Sequence, residues 1–281
     1  MENTKRLYIT DLDGTLLGSD CKISSESAEM LSRCIADGVN FSFATARSAA
    51  SAVKIAECLE MNIPCILMNG VCVYDMKQRK YIQINYISAE ASKKTAELLD
   101  RLGQSGFIYK ITDDRLICSY NRLDNAEMRE FYRERKDNYD KPFTQTEELS
   151  SAADSDVMYF TLLDKYEKLE RVRRELESIS GLTYAFYKDI YSEDAWYLEI
   201  FSDKASKFNG VKFLRERHGF EEVIGFGDNL NDLPLFEACD IKIAVGNAKD
   251  EVRQSADAVI GTNLENSVAE YIFNHERTYK P

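Results

Sequence analysis

The sequence predicts an α/β fold, a Rossmann-like parallel-sheet core interrupted by an inserted α+β domain, on three observations. Short apolar runs alternate with helical periodicity up to about residue 75, a central region carries clustered paired strands, and the alternation returns near Tyr197. A chain of 281 residues also exceeds the usual single-domain size of about 100 to 200, so two domains, or one with a large insertion, is the natural reading.

The elements follow in order. Leu7 to Thr10 is a short apolar strand; Ser24 or Ser25 can cap a helix carrying Ala28, Leu31 and Ile35 that Gly38 ends; Val39 to Ala44 is the next strand. Helical spacing recurs through Ala52, Val53, Ala56 and Leu59, and Pro64 introduces the apolar run Cys65 to Met68. After Asn69-Gly70, the runs Val71 to Tyr74 and Tyr81 to Ile84 bracket a charged turn and predict a hairpin flap. Between about Ile84 and Trp196 helices alternate with paired strands, with Ser88, Asp124 and Asp164 as candidate helix caps. From Tyr197 come a strand, a helix from about Ser206, the strand Val223 to Phe226, a helix after Asn231, the strand Ile241 to Val245, and a final helix from about Leu264. The predicted division is 1–83 with 195–281 as core and 84–194 as insertion.

Composition narrows the function classes. The residues are 44% hydrophobic and 30% charged, and no stretch approaches the roughly 18 apolar residues of a membrane span. A net charge of -12, from 36 Lys plus Arg against 48 Asp plus Glu, argues against nucleic acid as partner. Between Lys5-Arg6 and Asp11 there is no room for the apolar stretch of a signal peptide, so a cytoplasmic location is expected. Seven cysteines without a C-x-x-C pair, and two histidines, suggest neither a disulfide framework nor a zinc site. His218, in the last turn of a helix, and His275, in the final helix, do not read as catalytic.

The chemistry-bearing signal is Asp11-Leu12-Asp13-Gly14-Thr15, placed where the first strand ends. Such a string arises by chance in only about a few in a thousand chains of this length, and its position counts further, because ligands of open parallel sheets bind beyond the carboxyl ends of the strands. Phosphoryl transfer to a carboxylate needs an ionised nucleophile, a metal to offset charge and an acid for the leaving oxygen. Asp11 suits the nucleophile and a metal ligand, and Asp13 the acid that later activates water. A second acidic cluster, Gly227-Asp228-Asn229-Leu230-Asn231-Asp232, follows another strand; Asp228 is the better ligand for a hard cation, with Asp232 behind it orienting ligands or a lysine. Thr45 and Arg47 end the strand Val39 to Ala44, where a hydroxyl and backbone N–H groups can meet a phosphate oxygen. Either Lys204 or Lys207 could supply a neutralising cation.

Together these residues resemble the haloacid dehalogenase superfamily, in the branch of phosphatases often called the Cof-like group, with a type IIB cap. DLDGT at 11 to 15 is similar to its first motif, Thr45 within ATAR to its second, Lys207 to its third, and GDNLND at 227 to 232 to its fourth. The family layout of lysine, amphipathic helix, glycine and G-D strand fits Lys207, Gly219 and Asp228, whereas Lys204 starts too early. Asn69-Gly70 and Val245-Gly246-Asn247-Ala248 are further family-like strand ends; Ala46, Phe208 and Asn266-Ser267 depart from the usual residues. The resemblance implies catalytic roles for Asp11, Asp13, Thr45 and Lys207; phosphate or substrate contacts from Thr45, Ala46, Arg47, Asn69, Lys207 and Asn231; and Mg2+ held by Asp11, the Asp13 carbonyl and Asp228. It implies a phosphatase of a small phosphorylated metabolite, with the insertion as a cap over the site. Phosphotransferase or mutase chemistry is the alternative, and a non-catalytic ligand sensor would not need the paired nucleophile and acid. Within the insertion, Tyr109, Tyr120, Tyr132, Tyr139, Tyr159, Tyr184 and Tyr187 read as core more readily than as stacking platforms for a substrate.

Overall fold

The computed structural model describes residues 4–139, 142–153, 156–189 and 194–279, which divide into two compact units, Met1–Gln83 with Ala205–Pro281, and Ile84–Lys204. The first unit is built on a five-stranded sheet. In chain order its strands are β1 (Arg6–Thr10), β2 (Asn40–Phe43), β3 (Glu222–Gly227), β4 (Ile241–Ala244) and β5 (Ala258–Val259). They lie in the order β5-β4-β3-β1-β2, all parallel. Four of the five residues of β1 are buried, as expected of a strand covered on both faces, and Leu7 and Ile9 pack with Ala44, Val211, Leu214 and Val223. Helices α1 (Ser25–Ala36), α2 (Ala49–Ala56), α3 (Lys207–His218) and α4 (Ser267–Tyr279) carry the chain between and after the strands. Ser24 caps α1 by accepting from the Ser27 N–H at 3.0 Å, and Ser206 caps α3 by accepting from Asn209 N–H at 3.0 Å.

The apolar run after Pro64 forms the strand Cys65–Leu67. It leads a three-stranded sheet with Cys72–Asp75 and Lys80–Ile84, joined to the parallel sheet through a bridge from Ala44 to Ile66. The histidines serve packing: His275 Nδ1 lies 2.7 Å from the hydroxyl of the buried Tyr8, and the His218 ring stacks on Phe220.

The second unit holds a six-stranded sheet, in the order Leu182–Lys188, Ala195–Ser202, Val157–Lys165, Phe107–Thr112, Arg115–Tyr120, Phe143–Gln145. Every pairing is antiparallel except that of the edge strand Phe143–Gln145. Ile108, Phe160, Leu162, Leu198 and Ile200 pack with Leu99, Leu169 and Val172 from two helices of this unit, Ala89–Arg101 and Tyr166–Leu176. Alternate residues of the same strands, including Tyr109, Tyr159 and Glu199, point to the opposite face.

Three details differ from the sequence reading. Ala195–Ser202 pairs with the strands at 157–165 and 182–188, so the chain returns to the first unit at Ala205. Asn125, not Asp124, accepts from the Met128 N–H at the helix start, while Asp124 pairs with Arg122; Asp164 accepts from Lys165 N–H and Lys168, one residue ahead of the cap position. Of the tyrosines singled out, Tyr109 and Tyr159 are buried, Tyr120 and Tyr132 partly so, and Tyr184 and Tyr187 exposed; the Tyr139 side chain lies outside the described residues. No described helix is long and apolar enough to cross a membrane.

Candidate active site

The carboxyl ends of β1 and β3 converge on one group of charged side chains. Asp11 N–H donates to the Phe226 carbonyl at 2.9 Å, extending the β1–β3 ladder by one residue and fixing the Asp11 backbone before its side chain leaves the sheet. From the first turn of α3, the buried Lys207 ammonium donates to Asp11 Oδ1 at 2.6 Å and to Asp232 Oδ1 at 2.7 Å. Asp232 is fully buried, and its Oδ2 accepts from the backbone N–H groups of Asp228 and Asn229 at 3.0 Å each. Both of its oxygens are therefore committed to holding the lysine and shaping the loop. Asp228 is partly exposed, and its Oδ1 accepts from the Thr15 hydroxyl at 2.8 Å.

Two glycines let these segments approach. Gly14 has φ 79°, and a Cβ there would lie 2.5 Å from Asp228 Oδ2. Gly70 has φ 95°, and a Cβ would fall 2.0 Å from the Ser206 carbonyl oxygen, immediately before Lys207.

Charge is unbalanced here. Ligand oxygens of Asp11, Asp228 and Asp232 lie within 4.8 Å of one another, against the single ammonium of Lys207. Burial disfavours the charged form of Lys207, but the flanking carboxylates overcome that and hold it well above the usual lysine range. Burial, with the nearby charge of Asp232, pushes Asp228 up to about 6 despite its hydrogen bond from Thr15. Among the described residues Asp11 Oδ2 and Asp228 Oδ2 accept no hydrogen bond, so two hard oxygens and surplus negative charge fit a small divalent cation.

Thr45 is fully buried, its N–H bound to the Ile66 carbonyl at 2.9 Å and its hydroxyl 3.2 Å from the Arg47 N–H. Asn69, at φ 54°, donates its N–H to the Thr45 carbonyl at 3.0 Å, and its Oδ1 is buried without a partner. The sequence reading thus names residues that the fold gathers: Asp11, Lys207, Asp228 and Asp232 in one cluster, Thr45 and Asn69 joined beside the β2 end. Ala46 and Asn231 are exposed. Asp13 is turned toward Arg47, whose guanidinium grips both of its carboxylate oxygens. Two contributors carried no assigned role: Thr15, within the first motif, and Asn247, whose side chain donates to the Gly14 carbonyl at 2.7 Å and accepts from Asn263 N–H at 2.9 Å. Their signal was membership of the DLDGT and VGNA strings; their contacts are made across the fold.

The parallel sheet and this cluster define a hydrolase class, and the chain belongs to the haloacid dehalogenase-like hydrolase family, whose model matches residues 8–272. It is a phosphatase of that family. Among its relatives are the pyridoxal phosphate phosphatase YbhA of Escherichia coli, 26% identical over 97% of this chain and 99% of that one, and the 5-amino-6-(5-phospho-D-ribitylamino)uracil phosphatase YwtE of Bacillus subtilis, 26% identical over 93% and 95%. The structure of TM0651 from Thermotoga maritima superposes with a TM-score of 0.79 at 26% identity, covering 96% of this chain and 97% of that one.

Proposed function

We propose that the protein is a magnesium-dependent phosphatase of a small phosphomonoester, acting through a phosphoaspartate on Asp11. The observation that carries this is the Asp11 carboxylate, buried at a strand end with one oxygen on Lys207 and the other open toward Asp228. An oxygen of Asp11 attacks phosphorus as the bond to the leaving oxygen breaks, and Asp13 gives that oxygen its proton. Water then attacks the phosphoaspartate, Asp13 takes the proton back, and inorganic phosphate leaves with Asp11 restored. Lys207 neutralises part of the charge gathered by Asp11 and the phosphate, while the Thr45 hydroxyl and Asn69 would contact the phosphate. Asp11, the Asp13 carbonyl and Asp228 would hold magnesium, which when bound would offset the remaining repulsion between carboxylate and phosphate. Hydrolysis of an aryl phosphate should vanish in chelator and return with added magnesium; full activity in persistent excess chelator would end the proposal.

The substrate class follows from what the core can and cannot recognise. Phosphate and metal are common to all phosphomonoesters, so discrimination must come from elsewhere, and the inserted unit 84–204 is the candidate. The relatives named for pyridoxal phosphate and a phosphoribityl-aminouracil share a small phosphorylated body and little else, which favours a small metabolite without selecting one. Across a panel of phosphorylated compounds, kcat/KM should be highest for sugar phosphates or similarly sized monoesters. A chimera with a different insertion should change the ranking. A phosphoprotein as best substrate, or a ranking the chimera leaves intact, would refute this.

A further inference from the structure

Arg47 sits two residues beyond Thr45, where a guanidinium would be expected to meet phosphate, yet three of its five N–H donors are already engaged, one from each nitrogen. Nε donates to Asp13 Oδ2 at 2.7 Å, Nη2 to Asp13 Oδ1 at 2.5 Å, and Nη1 to Ser51 Oγ at 3.0 Å. Guanidinium presents five N–H donors in a rigid fork that matches a carboxylate edge, and here the fork is spent on Asp13 while Ser51, in α2, braces the opposite side.

Asp13 depends on this contact. Its side chain is 49% exposed, and among the described residues Arg47 is the only side chain it bonds. An exposed carboxylate would otherwise sample several rotamers, and proton transfer needs one geometry. The fork takes one lone pair of each Asp13 oxygen and leaves the outer edge of the carboxyl free, where the protonated form can give its proton to a leaving oxygen and the ionised form can then accept one from water.

We infer that Arg47 is a positioning residue for Asp13, holding the acid–base carboxylate in one orientation, and is not a ligand of the substrate's phosphate. This rests on the reading of Asp13 as the acid and base. The chain Ser51 to Arg47 to Asp13 transmits the rigidity of α2 to a group on the loop after β1.

The test compares Arg47→Met, Arg47→Lys and Asp13→Asn in the full-length, magnesium-supplied enzyme. Two esters serve as substrates: 4-nitrophenyl phosphate, whose leaving group needs no proton, and the alkyl phosphate ranked best in the panel above. Inorganic phosphate, as a competitive inhibitor, reads ground-state phosphate binding. Arg47→Met should lower kcat/KM for the alkyl ester about 10- to 100-fold more than for the aryl ester, the scale of a displaced catalytic group. The Ki of phosphate should move by about threefold or less. Arg47→Lys keeps the charge but loses the fork, and should show the same selectivity in weaker form. In the Asp13→Asn background, Arg47→Met should add no further leaving-group dependence, because the residue it serves is gone. Equal losses for both esters with phosphate Ki raised more than about tenfold would make Arg47 a phosphate ligand and overturn the inference. If instead Asp13→Asn alone showed no leaving-group dependence, the acid–base reading would fail first and the inference with it.

Discussion

Asp11→Asn should reduce turnover by on the order of 10⁴-fold or more while leaving the protein at least as heat-stable as the parent. The amide cannot serve as the nucleophile and is a poor ligand for a hard cation, so both functions of the residue are lost together. Stability follows a different logic. Three carboxylates crowd within 4.8 Å around one ammonium, and Lys207 retains Asp232 at 2.7 Å after the exchange. Burial and the charge of Asp232 already push the Asp11 carboxyl well above its ordinary range, the mark of a group the fold tolerates at a cost. Kinetics with 4-nitrophenyl phosphate and thermal melts without metal check both halves. A correctly folded variant within tenfold of parental activity would refute the nucleophile assignment; a lowered melting temperature would refute the electrostatic argument.

Lys207→Met should do the opposite to stability and the same to activity. The side chain is 1% exposed and, among the described residues, carries the only positive charge paired with two buried carboxylates, Asp11 and Asp232. Removing it leaves those charges uncompensated, a loss of about 3 to 5 kcal/mol for a broken buried pair. The sign with pH is set by linkage. In the parent the raised Lys207 holds its proton across the neutral range, so its contribution is lost only as pH rises through its folded pKa. In the variant Asp11, already held well above its ordinary range by burial and the charge of Asp232, loses the lysine that lowered it, so the penalty is larger at neutral pH and shrinks as Asp11 gains a proton. The melting-temperature deficit should narrow between about pH 7.5 and pH 5, and activity should fall by about 10² or more at any pH in that window. A deficit that does not change with pH would show that lost packing, not charge, is what the lysine supplies.

Much of this arrangement was legible in the sequence because strand ends are. The apolar run Leu7 to Thr10 breaking into Asp11, and Val223 to Phe226 breaking into Gly227-Asp228, each announce a carboxylate at the carboxyl edge of a parallel strand. The resemblance to the family layout separated Lys207 from Lys204, and the fold buries the first and exposes the second. What the sequence withheld is tertiary. The Arg47 fork on Asp13 joins residues 34 positions apart, and nothing local to either marks the other as its partner. The strand Ala195–Ser202 has the same alternation whichever sheet it joins, so its membership in the inserted unit's sheet could not be read from pattern. The Asn125 cap was missed because Asp and Asn are near-equal capping residues standing side by side.

The register of the central strands has a consequence for how the chain is made. Strand β1 lies between β2 and β3, and its pairing of Arg6 with Glu222 joins residues separated by the whole inserted unit. During synthesis the strand that bears Asp11 emerges early but must wait for β3 and α3 before one edge is covered and Asp11 meets Lys207. The inserted unit's sheet pairs only with itself, so it can complete while the first unit is still open. The topology thus lets the later segment mature first, while Asp11 can meet Lys207 and Asp232 only once the last quarter of the chain is present.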